Sequence, residues 1–168
     1  MNFLIMQLQI KILQLKIFLA KYQMNTPFTN REKLYLAAVA ELGKDASPKD
    51  IAEDELACAE SVQNIHYKTF GRFICPQTLS TYAMYQAFLM DGIWEQTFTP
   101  EPGTIVIAPS GYSSKGAKNG HVGIVSLGNM IMSNSSGTGM WLENYSIDSW
   151  KLYYGQKLGF PVLFFNKI

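Results

Sequence analysis

Apolar residues recur at helical spacing through the first half of this chain and in short continuous or alternating runs through the second. Leu34, Leu36, Ala37, Ala40 and Leu42 predict a helix that starts at Thr29 and stops near Gly43. Thr29 with Glu32 three places later forms a capping box. Ser47 and Pro48 make a second, short start that leads into the next helix. There Leu56, Ala59, Val62 and Ile65 recur at intervals of three and give one buried stripe. Asp54 suits the N-cap and Glu55 adds negative charge to the first turn, so this helix is expected to begin near Glu55. Tyr82, Met84, Ala87 and Phe88 predict a third helix, ended by Gly92.

Beyond Gly92 the periodicity changes. Pro100, Pro102 and Gly103 mark a turn, and TIVIA, from about Thr104, is a β-branched run of the kind that fills a sheet interior. The Gly-, Ser- and Lys-rich SGYSSKGAKNG reads as an exposed loop. His121 then opens a strand, Gly128 and Asn129 supply hairpin-turn chemistry, and Met130 to Asn134 return. A two-residue turn makes odd positions on one arm oppose even positions on the other. His121 is then expected to share a face with Met132 and Asn134, roughly 4.5–8 Å from Asn134, with Ser133 pointing away. GMWLENY reads as a strand or turn, SIDSWKLYYG as a short amphipathic segment started by Ser146, and PVLFFNKI as a closing apolar strand. Helices first and an antiparallel sheet afterwards define an α+β fold, with a cleft where the second helix meets the sheet.

Residues 1–28 stand apart from the domain expected over 29–168. Lys11 and Lys16 interrupt the apolar run of residues 1–23, and no small-residue cleavage site follows, so neither a signal peptide nor a membrane span is expected. Ile5, Leu8, Ile12, Leu15 and Leu19 alternate spacings of three and four, which fits a heptad and self-association. A strand, or a helix lying on a membrane surface, is the competing reading. MNTPFTN is a linker-like break.

Composition narrows the function classes. The 168 residues, 48% hydrophobic and 16% charged, suit one domain with an ordinary core. A formal charge of +1 points away from nucleic acid as a partner. Only Cys58 and Cys75 are present, and both are read as free thiols. There is no spaced Cys or His cluster for zinc, no phosphate loop and no dinucleotide fingerprint, so no cofactor is expected.

Cys58 falls in the first turn of its helix, where the dipole and the unpaired N–H groups favour a thiolate; the competing reading is a free cysteine that merely fills space in the core. His66 is about two turns along the same helix, too far to serve as its base, and is expected to be an ordinary surface or lightly packed histidine. His121 is the other histidine. Cysteine at a helix start, with histidine and asparagine on a hairpin, supplies the parts of a thiol acyl-transfer site. The thiolate attacks a carbonyl, His121 holds the proton and returns it to the leaving amine, and Asn134 fixes the ring and its tautomer. Trp141, Trp150 and several tyrosines offer surface for a glycan or peptide groove, although most belong in the core.

From about Arg31 onward the chain resembles the NlpC/P60 and CHAP group of papain-like cell-wall hydrolases. ACAESV is similar to the nucleophile-bearing helix start, PGTIVIA to the Pro-Gly-Asp strand, and GHVGIV with its hairpin to the histidine strand. DELACAESV, KDASPKD and YYGQKLGFPVLFFNKI look most like small phage-encoded members. The chain departs from the pattern in having Ala57, not aspartate, before the cysteine, and Met132 near the place of a second histidine. The resemblance implies a papain-like fold with N-terminal helices packed on a central antiparallel sheet. It also implies Cys58 as nucleophile, His121 as base and Asn134 as third residue, and an endopeptidase or amidase of bacterial peptidoglycan carried as a phage endolysin or virion lysin. The alternatives are a catalytically idle binding or virion-structural module on the same fold, and a thiol acyltransferase. Because the heptad precedes the capped start at Thr29, a chain lacking residues 1–23 should stay folded while losing oligomer mass or surface attachment. Circular dichroism and light scattering check this, and an unfolded truncation would place the segment in the core.

Overall fold

A computed structural model describes residues 27–45, 57–76 and 80–168. The heptad of residues 1–23, the Ser47 and Pro48 start, and the Asp54 and Glu55 cap lie outside the described residues. Helix α1 spans Asn30–Ala40, and its Thr29–Glu32 capping box forms in both directions. Leu34, Tyr35 and Ala38 are its buried face, while Leu36 and Ala40 turn outward. Helix α2 is Cys58–Phe70, closed by Gly71 in the left-handed conformation, and Ala59, Val62 and Ile65 are fully buried as their spacing predicts. Helix α3, Thr81–Met90, is capped by Ser80 and buries Thr81, Met84 and Phe88.

Six strands form one antiparallel sheet: β1 Trp94–Gln96, β2 Ile105–Ala108, β3 His121–Val125, β4 Met130–Asn134, β5 Trp141–Ser146 and β6 Leu163–Lys167, in the order β1-β6-β2-β3-β4-β5. The short β1 was not anticipated by the hydrophobic pattern, and β6 inserts between β1 and β2. The fold class is α+β. Four helices accompany the sheet among the described residues, the fourth being α4, Ile147–Trp150, which starts on a Ser146–Ser149 capping box. It continues as a π-helical segment, Lys151–Lys157.

The sheet is buried on both faces. Ile105, Ile107, Val122, Ile124, Met132 and Phe165 pack under α1 to α3. Val106, Ala108, Val125, Ile131 and Phe164 pack against Ile147, Trp150, Tyr154 and Phe160. This is why β2 reads as an unbroken apolar run rather than an alternating one. Trp141 and Trp150 are fully buried, so both belong to the core and not to a groove.

A knot of hydrogen bonds fixes the entry to β3. The Ser110 N–H donates to Thr81 Oγ1 (3.0 Å), the two hydroxyls pair at 2.9 Å, and the Gly120 N–H donates to Ser110 Oγ (2.9 Å). Residue 120 must be glycine. A Cβ there would collide with the Ala108 carbonyl oxygen and crowd the Ser110 nitrogen and Thr81 Oγ1. The loop before it is not free-standing either, since Ser113 Oγ donates to the Leu158 carbonyl and the Ser114 N–H to that of Gly159 (2.8 Å). Gly120→Ala should therefore cost about 1–3 kcal/mol in a denaturant titration, in the range of an overpacked interior. An unchanged midpoint would mean that the knot does not hold this strand start.

Candidate active site

The first turn of α2 packs on β3, so Cys58 lies beside the strand that begins with His121. Its sulfur meets the backbone N–H groups of Val122, Ala59 and Cys58 itself. Val122 follows His121 directly, and Tyr154, whose ring stacks on the imidazole at 5.3 Å, lies within the electrostatic reach of the thiol. Cys58, His121 and Tyr154 thus share one neighbourhood. Among the described residues no hydrogen bond joins the thiol to the imidazole.

The position of Cys58 at a helix start does not make it a thiolate. The side chain is 6% exposed, and burial pushes its pKa up to about 11, although the three N–H groups pull the other way. Desolvation of a charge outweighs the terminal dipole here. Burial likewise takes His121 down to about 4. At neutral pH the pair is therefore a thiol and a neutral imidazole. Cys75 is free, half-buried and held by Gln63 Nε2 at 3.1 Å, which matches its reading as a second free thiol.

The hairpin corrects the expected parity. Gly123 opposes Ser133, Ile124 opposes Met132 and Val125 opposes Ile131, and the Ser126 N–H closes on the Met130 carbonyl. Three residues, Leu127–Asn129, form the connection. Gly128 and Asn129 both have positive φ, as the turn chemistry predicts, but Leu127 adds a third residue and packs against the core under the helices. An odd loop puts odd positions opposite odd ones. His121 consequently shares its face with Ser133, not with Asn134. The ring Nε2 meets Ser133 Oγ at 3.2 Å, and Ser133 Oγ donates to Asn144 Oδ1 at 2.7 Å. Asn134 turns to the helix side, where its Oδ1 accepts from Ser61 Oγ at 3.4 Å.

A bulge on β5 brings Asn144 into reach. Ile131 opposes Tyr145 but Met132 opposes Glu143, so Asn144 is the extra residue and stands on the same side as its neighbour Tyr145. Trp150 and Tyr154 stack on the imidazole at 5.2 and 5.3 Å, and Tyr145 lies edge-on at 6.3 Å. Burial and its hydrogen bond to Tyr145 keep the Tyr154 hydroxyl protonated.

A cleft of about 540 Å³ opens over this group, lined by His121, Asn134, Asn144, Tyr145, Tyr153 and Tyr154 among others. Its described lining includes the histidine but not Cys58. Among the described residues no cluster of metal-ligating side chains occurs. Asn144, Tyr145 and Tyr154 were not picked out from the sequence, whereas the sequence reading puts Ser133 on the opposite face through a two-residue turn, the assumption that the three-residue connection overturns.

His66 also departs from expectation. It is 1% exposed, packed on Phe70 and Trp94, with Nδ1–H donating to the Arg72 carbonyl at 2.7 Å. Trp94 belongs to β1, the strand that the pattern did not reveal, and this is what covers the ring. Comparison with known proteins adds no family: no family model matches the chain and no curated protein matches it.

Burial lowers His66 to about 4 as well, so both imidazoles fold neutral. Below pH 6.5 the unfolded chain takes up protons that the folded chain refuses. Stability is thus full above 6.5, falls as pH drops toward 4 and has no further histidine contribution to lose below that. The loss is on the order of 3 kcal/mol per ring as an upper bound. Denaturant midpoints between pH 7 and 4 check this, and His66→Phe should flatten part of the slope. A midpoint independent of pH across that window would contradict the burial of both rings.

Proposed function

We propose that this chain is a thiol-dependent amide hydrolase of the papain-like kind, acting on bacterial peptidoglycan as an endopeptidase or amidase. One observation carries the reading. The Cys58 sulfur sits at a helix start against the N–H of Val122, the residue that follows a histidine whose Nε2 is held by a polar side chain. The resemblance of ACAESV, PGTIVIA and GHVGIV to the cell-wall hydrolases supplies the substrate class.

In this reading His121 acts as a general base at the moment of attack. Its Nδ1, the ring nitrogen nearer the main chain, faces the task of taking the thiol proton, because Nε2 is engaged by Ser133. The S–H bond breaks, an imidazolium forms, and the thiolate adds to the carbonyl carbon of the scissile amide. The imidazolium then protonates the leaving amine, and water releases the acyl group from sulfur. The N–H groups at the start of α2 are suited to hold developing negative charge. The orienting role that the sequence reading assigned to Asn134 passes to Ser133, and Asn134 borders the cleft instead.

A second reading, a wall-binding module without turnover, is favoured by the buried thiol and by its absence from the described cleft lining. Digestion of purified cell wall, with mass analysis of the soluble fragments, decides between them. Hydrolysis should release fragments with a new amine and a new carboxyl, Cys58→Ala should abolish release, and His121→Ala should lower it by about 10²- to 10⁴-fold. Binding to the wall with no fragments, or full release by Cys58→Ala, would rule the mechanism out.

A further inference from the structure

We propose that Asn144, acting through Ser133, sets the tautomer of His121 and so makes Nδ1 its basic nitrogen. The kinetic part of this proposal rests on the hydrolase reading, whereas the tautomer does not. Ser133 has one hydroxyl proton, and it goes to Asn144 Oδ1 at 2.7 Å. A hydroxyl that has spent its proton can meet a ring nitrogen only as an acceptor. The 3.2 Å contact with His121 Nε2 is therefore Nε2–H donating to Ser133 Oγ, and the other ring nitrogen carries the lone pair.

The surroundings fit this assignment. Ser133 is fully buried, so no solvent competes for its hydroxyl, and Trp150 and Tyr154 hold the ring plane by stacking. Asn144 is exposed in the cleft, and it reaches Ser133 because the β5 bulge turns it onto the side of its neighbour Tyr145. Its amide oxygen is committed inward to Ser133. Asn144 is a positioning residue that connects the cleft to the histidine without touching the imidazole.

The proposal has a consequence that a purely structural asparagine would not share. Removing the Asn144 oxygen releases the Ser133 proton, which can then be donated to Nε2, and the ring shifts to the Nδ1–H form. The test is ¹⁵N NMR of histidine-labelled protein together with kcat on soluble wall fragments. His66 serves as an internal reference, because its Nδ1–H bond to the Arg72 carbonyl gives it the opposite tautomer. In the native chain His121 should show a protonated Nε2 and a bare Nδ1. Asn144→Ala should move it toward the Nδ1–H form and lower kcat by about a hundredfold, the lower end of what acid–base assistance contributes, with little change in KM. Asn144→Asp keeps an acceptor, so it should restore the native tautomer and recover at least about tenfold of the lost kcat. Ser133→Ala should leave the ring without a fixed tautomer. An Nδ1–H ring in the native protein, or an Asn144→Ala spectrum unchanged from it, overturns the proposal, as does Asn144→Asp behaving like Asn144→Ala. Tautomer shifts as described in a protein that releases no wall fragments would support this inference while removing the hydrolase reading.

Discussion

Burial of the sheet on both faces is the constraint on which the rest of this structure depends. With α1 to α3 on one side and α4 with the π-helical segment on the other, a polar side chain entering the central strands has no water to pair with. It must find a partner inside the protein or cost several kcal/mol. Several polar side chains in and beside the central strands are accordingly tied in short chains: His121 to Ser133 and Asn144, Asn134 to Ser61, Thr104 to Asn166, and Ser126 to Glu143. The same enclosure sets the chemistry of the site, since it removes charge from both Cys58 and His121.

Two departures from regular β-structure aim the site. The third residue of the β3–β4 connection, Leu127, reverses the parity of β4 and puts Ser133 where a two-residue turn would have put Asn134. The bulge on β5 then turns two successive residues, Asn144 and Tyr145, toward the same side. Each costs one residue of register and gains a contact with the histidine or its partner. The knot of Thr81, Ser110 and Gly120 anchors the strand start that both depend on.

The thiol is enclosed, and the described lining of the cleft includes His121 but not Cys58. Burial leaves both the Cys58 thiol and the His121 imidazole neutral at neutral pH. Tyr154 links the two: it lines the cleft, stacks on His121 and lies within electrostatic reach of the Cys58 thiol. It sits buried in the π-helical segment Lys151–Lys157.

What the sequence alone determined is whatever depends on neighbouring residues. The Thr29 and Ser146 caps, the stripe of Ala59, Val62 and Ile65, the apolar run over Ile105–Ala108 and the hairpin after His121 are local patterns, and they appear where the pattern puts them. Cys58 in a first turn and His121 at a strand start were legible for the same reason. What only the tertiary structure decided is which side chains meet. The burial of His66 required β1 to cover it, the partner of His121 required one extra loop residue, and the reach of Asn144 required a bulge. The raised pKa of Cys58 required the enclosure of α2 against the sheet. Local propensity fixes elements to within a residue or two, but strand pairing inverts with a single residue, and desolvation depends on everything packed around a group.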